Sequence, residues 1–459
     1  MKRGDFRDLE AVFRRILTGT AEPGLLELFL SMLPGGNPNE PNQALIRTLL
    51  GRIKLPAIPV HLETDISEAD HYFAASLTML ADRAVSSAIE EPPSDQLIRT
   101  LGQDLDFLAD LCFLPDLTAI QVVNLLFLRC ITPRKSVAAV MTVRDEGLYL
   151  LEWVAFYRAI GLTDIFVYVN ENVDGSDDLL SLLAERGVIR LIRNHIRSGT
   201  NPQRKAYQHA FHLLHELRAY KWVAFFDADE FLMLDKRYEY NIDNFIGHIE
   251  TTFSDNLPAG VLFPWDWRLT DRGFKKTEGL LFERYPHSIP HSGMKCLTRL
   301  SAALGMCEVH VPTLEEGVFF VDSGFAPVQS QAVWGSEPKS RLGGEISHFW
   351  GKSFQEFAIK KRRGDLLRLE QKQFVREFSE YFEWTANLTA QTFHPIPRVL
   401  IDRTRRAMEE LKALPGIASA VKQVEAKFVE LSDKIDKDMN LTAIYEEMYA
   451  TIKPQMKPD

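Results

Sequence analysis

Between residues 136 and 235 the chain alternates short apolar runs with longer segments in which apolar residues recur at helical spacing. The apolar runs, which predict buried strands, cover residues 137–143, 164–170, 188–192 and 222–226. The segments between them predict helices over residues 148–160, 177–185 and 202–220. Strands that alternate with helices favour an α/β domain with a mainly parallel, Rossmann-like sheet.

The segments on either side of this region are predicted to be helical. Residues 1–133 show apolar residues at helical spacing and are expected to form an N-terminal all-helical domain. Residues 134–370 would then form the α/β domain. Helical spacing dominates residues 401–449, with one break, so residues 371–459 are expected to form a C-terminal helical extension.

The composition is that of a globular protein with more than one domain. The 459 residues are 46% hydrophobic and 25% charged. Lys and Arg number 53 against 63 Asp and Glu, and the resulting net charge of -10 disfavours nucleic acid as a partner. The four cysteines include no CxxC pair, so we expect buried small side chains rather than a zinc site or a disulfide framework.

The sequence offers no sign of a targeting or membrane-spanning segment. The first residues are charged and lack the apolar core of a secretory signal. A spanning helix needs roughly 20 mostly apolar residues, and charged residues interrupt every long apolar stretch. We therefore expect a cytoplasmic protein without a transmembrane segment. Peripheral contact with a membrane stays open, as does the oligomeric state.

Acidic residues follow three of the four predicted strands, at residues 144–146, 170–176 and 227–230. In a parallel sheet these strand ends meet at one edge, where carboxylates would repel one another unless a cation lay between them. Asp227 and Asp229 are one residue apart, so on an extended segment both side chains would face one cation. Oxygen ligands of this kind suit Mn²⁺ or Mg²⁺. The alternative is a strand that ends in a solvated acidic turn.

Several short motifs follow one another along the chain. The first reads Arg-Asp-Glu-Gly-Leu-Tyr, the next contains Asp-Gly-Ser, and a later one contains Phe-Phe-Asp-Ala-Asp-Glu-Phe-Leu. The segments that carry them are residues 144–154, 168–176, 203–207, 222–232, 294–299, 310–312 and 348–353. In this order they resemble motifs of family 2-type glycosyltransferases in the branch close to glycosyltransferase family 92. The resemblance extends over residues 136–364 and leaves both ends of the chain uncovered.

This resemblance implies a GT-A fold, a nucleotide-sugar donor, a divalent cation and a glycan or glycoconjugate acceptor. The residues that it implies for the metal are Asp227, Asp229 and His310. Those that it implies for the donor are Arg144, Glu146, Asn170, Asn172, Asp174, Gln203, Lys205, Asp227, Lys295, His348 and Lys352. Plainer roles stay open, since histidines and lysines of this kind also stabilise folds and a glutamine can cap a helix.

The acceptor side departs from the family pattern, because residues 265–273 lack its Phe-Gly-Ser segment. An inverting reaction, which the resemblance implies, needs a carboxylate that takes the proton of the acceptor hydroxyl. Asp266 and Asp271 are the favoured candidates for this base. The other acidic residues downstream of the metal motif are Glu315, Glu316, Asp322 and Glu345.

Two other functions are compatible with the same residues. A catalytically inactive nucleotide-sugar-binding or scaffold protein would bind the donor but would not hydrolyse it in the presence of Mn²⁺. A metal-dependent nucleotidyltransferase also uses carboxylates at strand ends, but it would leave the sugar attached to the phosphate. Donor hydrolysis and product analysis discriminate among the three.

Overall fold

The computed structural model describes residues 6–17, 28–29, 32, 103, 106–113, 119–130, 132–270, 273–306, 309–314, 317–328, 340–363, 381–382 and 392–452. The chain divides into two compact units. Unit 1 consists of Met1–Val137, His195–Val223 and Thr298–Phe319. Unit 2 consists of Ala138–Asn194, Ala224–Leu297 and Phe320–Asp459. The domain boundaries expected at residues 133–134 and 370–371 stay predictions.

The described α-helices are numbered in chain order. They are α1 (Phe6–Leu17), α2 (Ala119–Cys130), α3 (Gly147–Ala159), α4 (Ser176–Glu185), α5 (Pro202–His212), α6 (Ile242–Thr252), α7 (Leu281–Arg284), α8 (Phe354–Arg363), α9 (Arg398–Lys412), α10 (Ile417–Met439) and α11 (Leu441–Ile452). Short 3-10 helices cover Asp106–Phe113, His215–Ala219, Lys236–Tyr238 and Leu300–Ala302. Within the described part of the chain, no helix is both long and apolar enough to cross a membrane.

The described β-strands are numbered in the same way. They are β1 (Lys135–Val143), β2 (Ile165–Val169), β3 (Arg190–Arg193), β4 (Tyr220–Asp227), β5 (Glu230–Leu234), β6 (Gly260–Arg268), β7 (His287–Arg299), β8 (Ala303–Gly305), β9 (Thr313–Leu314), β10 (Phe320–Asp322), β11 (Pro327–Val328), β12 (Gly344–His348) and β13 (Thr392–Phe393). Among these, eleven form one sheet with the order β11-β10-β6-β7-β4-β1-β2-β3. β12 pairs with β5 and β6, and β13 pairs with β7.

The sheet is mixed, and its parallel pairs place the predicted strand ends together. β1 runs parallel to β2, β2 to β3, and β6 to both β10 and β12. β5 is antiparallel to β12. Val143 and Val169 are register partners, so the loops that follow β1 and β2 leave from the same edge of the sheet. The α/β fold class with a mainly parallel central sheet is confirmed. The helices predicted before and after this region in the sequence are also confirmed.

The described residues of unit 1 before residue 131 are helical, as the sequence predicts. In α2, the amide of Asn124 donates to the carbonyl of Phe211 at 3.0 Å and accepts from Arg218 Nε at 2.9 Å. The helix predicted over residues 202–220 is shorter, since α5 ends at His212 and a 3-10 helix follows. Asn201 caps α5 by accepting from the Arg204 N–H at 2.9 Å.

The C-terminal helices of unit 2 pack against helices that follow its strands. α9 packs on α3, while α10 packs on α3, α4 and α8. Gly147 is the first residue of α3 and lies where α10 approaches it. A Cβ at this position would lie 2.8 Å from both Val424 Cγ1 and Asp174 Oδ2, so no larger residue fits without displacing a neighbour. The helical segment near the C-terminus is therefore an integral part of unit 2.

Candidate active site

Acidic residues that follow β1 and β4 meet in unit 2, where Lys352 bridges them. Its ammonium lies 3.8 Å from Glu146 Oε2 and 3.6 Å from Asp229 Oδ2. The ring of Tyr149 lies beneath the same ammonium at 4.2 Å, which adds a cation–π contact. The sequence predicts that these strand ends come together, and in the structure a lysine joins them.

The Asp227–Asp229 motif lies at a turn rather than on an extended segment. Asp227 is the last residue of β4, and Ala228 and Asp229 form the turn into β5. The two carboxylates therefore have different partners, and the expectation that both leave an extended strand on one face was wrong. The sequence did not predict β5. Only Ala228 and Asp229 separate it from β4, so its residues were not recognised as a second strand.

Side chains of α3 hold this turn in place. The indole N–H of Trp153 donates to the Asp227 carbonyl at 3.0 Å. The hydroxyl of Tyr157 donates to the Glu230 carbonyl at 3.1 Å and accepts from the Leu232 N–H at 3.2 Å. Both rings are fully buried, so the backbone of the turn is fixed by the helix that packs behind it.

Asp229 is buried among cations. The Lys360 ammonium is bonded to its Oδ2, Lys352 lies near the same oxygen, and His348 Nε2 lies 3.5 Å from Oδ1. Burial alone would raise the pKa of Asp229, but the two lysines outweigh burial and hold this pKa well below its usual range. The carboxylate is therefore ionised, with one oxygen on the lysines and the other on the histidine.

Asp227 and Glu230 share a different lysine. Lys295 Nζ lies 3.1 Å from Asp227 Oδ2 and 3.3 Å from Glu230 Oε2, and its side chain is completely enclosed. Burial, together with the neighbouring Asp227 carboxylate, raises the pKa of Glu230 to about 8, and the Lys295 ammonium offsets this rise only in part. The Asp227 side chain remains 32% exposed and can still reach a ligand. Lys295 thus neutralises the motif from inside the protein.

His348 has the properties of a metal ligand. Its Nδ1 is buried without a hydrogen-bond partner among the described residues, and Trp265 packs against its ring with centroids 4.5 Å apart. Burial lowers the pKa of His348, so the imidazole is neutral at neutral pH. A neutral imidazole beside a carboxylate oxygen is a donor set that binds divalent metals.

Three residues of the loops around the site have backbone conformations that are rare for any residue except glycine. Their φ angles are 54° at Asp145, 47° at Glu171 and 60° at Lys352. Such strain persists only where the surrounding structure enforces it, and it is concentrated at functional sites. At Lys352 the unusual backbone turns a motif lysine toward Glu146 and Asp229.

Asn172 and Asp174, which were expected to bind the donor, connect the loops that carry the site. Asn172 Oδ1 accepts from the Asp145 N–H at 2.8 Å. Asp174 Oδ2 accepts from the Gly147 N–H at 2.7 Å, and its Oδ1 accepts from the Ser176 N–H and hydroxyl at 3.0 and 2.6 Å. The two residues thus position the loop after β1 and the start of α3.

Replacing Asp174 with alanine is expected to lower the free energy of unfolding by about 2–4 kcal/mol, since it leaves buried N–H groups of Gly147 and Ser176 without acceptors. Chemical denaturation of both proteins measures this loss. Asp178 is exposed in the first turn of α4, the helix that begins at Ser176, and D178A is the matched control. Its free energy of unfolding should differ from that of wild type by less than about 0.5 kcal/mol. Equal effects of the two substitutions would contradict the positioning role.

Beneath Lys352 lies a buried ion pair that sequence reasoning missed. Arg284 Nη1 donates to Glu356 Oε1 at 2.9 Å and Nη2 donates to Oε2 at 2.5 Å. Glu356 also accepts from the Tyr149 hydroxyl and from the Ser353 N–H. Burial would raise the pKa of Glu356, but the Arg284 guanidinium and these donors lower it to about 2. The pair anchors the start of α8, the helix that carries Lys360.

The remaining expected donor and metal residues are divided between this sheet edge and unit 1. Arg144 and Asn170 follow β1 and β2 at the same sheet edge as Glu146. Gln203, Lys205 and His310 belong to unit 1. There the Gln203 amide donates to the Tyr207 hydroxyl at 3.2 Å, and the Lys205 ammonium donates to Asp106 Oδ1 at 2.8 Å.

Asp266 lies on the face of the sheet opposite His348. In the pairing of β6 with β12, Asp266 is the register partner of Ser347 and Trp267 that of His348, and successive side chains point to opposite faces. Asp266 is 3.3 Å from Arg268 Nη2 and 3.3 Å from His394 Nδ1. Asp271 lies outside the described residues, as do Glu315 and Glu316.

Within the described part of the chain, one group of three side chains has ligand atoms close enough together to hold a metal ion. It consists of Asp266, Glu345 and His394. Arg341 is 3.2 Å from Glu345, and Arg268 is near Asp266, so these acids already have cationic partners. A divalent ion would have to displace them.

A small cavity of about 30 Å³, open to solvent, lies beside Lys352 and Lys360. Asp145, Glu146 and Asp174 border it from the loops after β1 and β2. The opposite wall is apolar and comes from α10, through Val424, Phe428 and Leu431. A polar floor that carries two lysines beneath an apolar wall is suited to a ligand with both anionic and apolar parts.

Comparison with known proteins relates this arrangement to one family. Residues 137–294, about a third of the chain, match the model of glycosyltransferase family 92. The matched segment contains most of β1, β2 to β6, the Asp227–Asp229 turn and most of β7. Lys352, Lys360 and α10 lie beyond the matched residues.

Two plant proteins are similar to part of this chain. A glycosyltransferase family 92 protein of Oryza sativa subsp. japonica is 26% identical over 127 residues, which cover 26% of this chain and 21% of the relative. One of Ricinus communis is 29% identical over 92 residues, or 20% of this chain and 16% of the relative. The chain thus spans about a fifth of the length of these curated relatives.

Among solved structures, residues 1–349 of S. aureus TarS align with 66% of this chain and 92% of their own length. The TM-score is 0.26 and the sequence identity is 8%. A second structure of S. aureus TarS aligns with 66% of this chain and 55% of its own length, with a TM-score of 0.23 and 10% identity. Both scores are too low to define a shared fold.

Proposed function

We propose that this protein is a glycosyltransferase that moves a sugar from a nucleotide-sugar donor to a hydroxyl of a glycan or glycoconjugate, with Mn²⁺ or Mg²⁺ as cofactor. The observation that carries the proposal is the meeting of Glu146, Asp229 and Lys352 at one edge of the sheet, next to a family 92 motif. The other two functions that the sequence allows, a binding module and a nucleotidyltransferase, gain no support from a specific contact.

Asp229 and its neighbours offer ligands for a divalent cation, which would have to compete with Lys352 and Lys360 for Asp229. Asp229 offers Oδ1, the neutral His348 offers an Nδ1 that is unpartnered in the described part of the chain, on the ring whose Nε2 faces Asp229, and Asp227 offers a partly exposed carboxylate. Magnesium and manganese sites need only one or two carboxylates when substrate phosphates complete the coordination. When bound, the metal would act as a Lewis acid that stabilises charge on the departing diphosphate. His310, expected as a ligand, remains a prediction.

The chain's own residues orient the donor and hold its charge. In the proposal, Arg144, Asn170 and Glu146 face the nucleotide at the ends of β1 and β2, while Asn172 and Asp174 fix the loops. Lys352 donates to the diphosphate, and its contacts with Glu146 and Asp229 set its position before the donor arrives. Preorganised donors of this kind stabilise a leaving group without the cost of rearranging at the moment of reaction.

The proton of the acceptor hydroxyl needs a base. Asp266 is already engaged with Arg268 and faces away from His348, so we favour Asp271 for this role. Inversion at the anomeric carbon follows from the family resemblance and is part of the same proposal.

Thermal unfolding in the presence of nucleotide sugars tests the function. We expect one class of nucleotide sugar to raise Tm, and to do so only together with Mn²⁺ or Mg²⁺, because a ligand stabilises the state that it binds. The same donor should then be hydrolysed slowly without an acceptor, releasing free sugar. Binding without hydrolysis would favour the inactive module, and a sugar phosphate product would favour the nucleotidyltransferase. The absence of any shift would reject the proposal.

A further inference from the structure

Two lysines approach the same oxygen of Asp229. Lys360 is bonded to Oδ2, and Lys352 lies 3.6 Å from it. The side chains are 12% and 3% exposed, so both are well shielded from bulk water. Lys352 belongs to a motif from which a donor-binding role is expected. Lys360 lies eight positions further along the chain and belongs to none of the recognised motifs.

The structure places Lys360 at the cavity and not merely beside an acid. Both Lys352 and Lys360 border the small, solvent-open cavity, together with Glu146 and the apolar residues of α10. Lys295 differs, because its side chain is fully enclosed between Asp227 and Glu230 and is not among the residues that line the cavity. Of these three lysines, two can therefore meet a molecule that enters the cavity.

The helix that carries Lys360 is held firmly. Lys360 lies one turn after Glu356 on α8, so both side chains leave the same face of the helix. Glu356 is fixed by Arg284 and by the Ser353 N–H. An ammonium has three N–H donors, so Lys360 can keep its bond to Asp229 while it donates to a second oxygen.

We propose that Lys360 is a second cation for the diphosphate of the donor: it donates to a diphosphate oxygen beside Lys352 and stabilises the charge that builds up as the sugar departs. This inference rests on the proposed function. It predicts that the leaving group is held by a pair of lysines, one from the motif at residues 348–353 and one from α8. A purely structural lysine would only balance the charge of Asp229.

The test measures binding of inorganic pyrophosphate by calorimetry in the presence of EDTA, with four proteins: wild type, K360M, D229N and the D229N/K360M double variant. We expect K360M to weaken pyrophosphate binding on the order of tenfold or more, both in the wild-type and in the D229N background. If Lys360 only neutralised Asp229, it would have no function once Asp229 is replaced. The D229N/K360M double variant would then bind pyrophosphate as tightly as D229N does. Affinities of D229N and the double variant within twofold of each other would overturn the proposal.

Lys361 is the matched control, since it is the next residue on α8 and does not line the cavity. K361M is expected to bind pyrophosphate like wild type. With the donor identified by thermal unfolding, K360M should lower kcat more than it raises KM, because the leaving-group charge is greatest in the transition state. Unchanged kcat in K360M would overturn the proposal while sugar transfer itself remained intact, whereas the absence of transfer in wild type would reject the proposed function.

Discussion

Replacing Asp229 with asparagine is expected to lower kcat/KM for sugar transfer on the order of a thousandfold and to remove the metal-dependent rise in Tm. The variant loses the negative charge of a carboxylate whose Oδ1 faces His348 and whose Oδ2 faces Lys352 and Lys360. An amide cannot replace a carboxylate as a ligand of Mn²⁺ or Mg²⁺ at comparable strength, and its N–H₂ would face cations. Steady-state kinetics and thermal unfolding with and without metal measure the two effects.

Two further variants show whether D229N loses activity because its active site is damaged or because it does not fold. Asp255 is exposed beyond the end of α6, and D255N is expected to keep the activity and the thermal shift of wild type. D229E retains the charge but moves it, so it should fold like wild type and still transfer sugar slowly. Activity of D229N within tenfold of wild type would show that Asp229 does not hold the metal or the donor.

Replacing Glu356 with glutamine is expected to lower the free energy of unfolding by about 3–5 kcal/mol at pH 7, because Arg284 would stay buried without its anionic partner. The pKa of Glu356 lies near 2 in the fold, against 4.5 for the free side chain. A depressed pKa stabilises the fold above pH 4.5, and this contribution of roughly 3 kcal/mol is lost as pH falls from 4.5 toward 2. Denaturation at several pH values measures both.

The difference in stability between wild type and E356Q should therefore shrink as the pH is lowered through this window. Glu410 is exposed on α9, and E410Q serves as the control, with little change at any pH. If the difference between wild type and E356Q were the same at pH 3 as at pH 7, the charge of Glu356 would not be the source of its stabilising effect.

Local patterns predicted the part of the fold that forms the sheet edge. The spacing of apolar residues and the polar residues that flank them were enough to locate β1, β2 and β4, since each is a short apolar run between polar segments. Because parallel strands end at the same edge, the sequence also indicated that Glu146 and Asp229 would come together. The predicted conformation of the motif was wrong. Asp227 ends a strand and Asp229 lies in the turn after it, so the two residues are not on one extended segment.

The countercharges could not be found from such patterns. Lys360 meets Asp229 across 131 positions of sequence, and Arg284 meets Glu356 across 72, so each pairing depends on how whole elements pack. One local signal was present, because Glu356 and Lys360 are four residues apart on a helix that directly follows a motif lysine. Asp174 has a role that its motif did not indicate, since it accepts hydrogen bonds from the backbone of its neighbours, and its donor-binding role stays a prediction.

The apolar wall that α10 contributes to the cavity has a practical consequence for anyone who truncates or engineers this protein. Val424, Phe428 and Leu431 lie more than a hundred positions beyond the segment that defines the family. A shortened version that ends at residue 294 would keep the Asp227–Asp229 turn but lose eight of the thirteen residues that line the cavity. Exchanges on this helix could change which molecule fits while leaving every signature residue intact, so two proteins with identical signatures need not share a substrate.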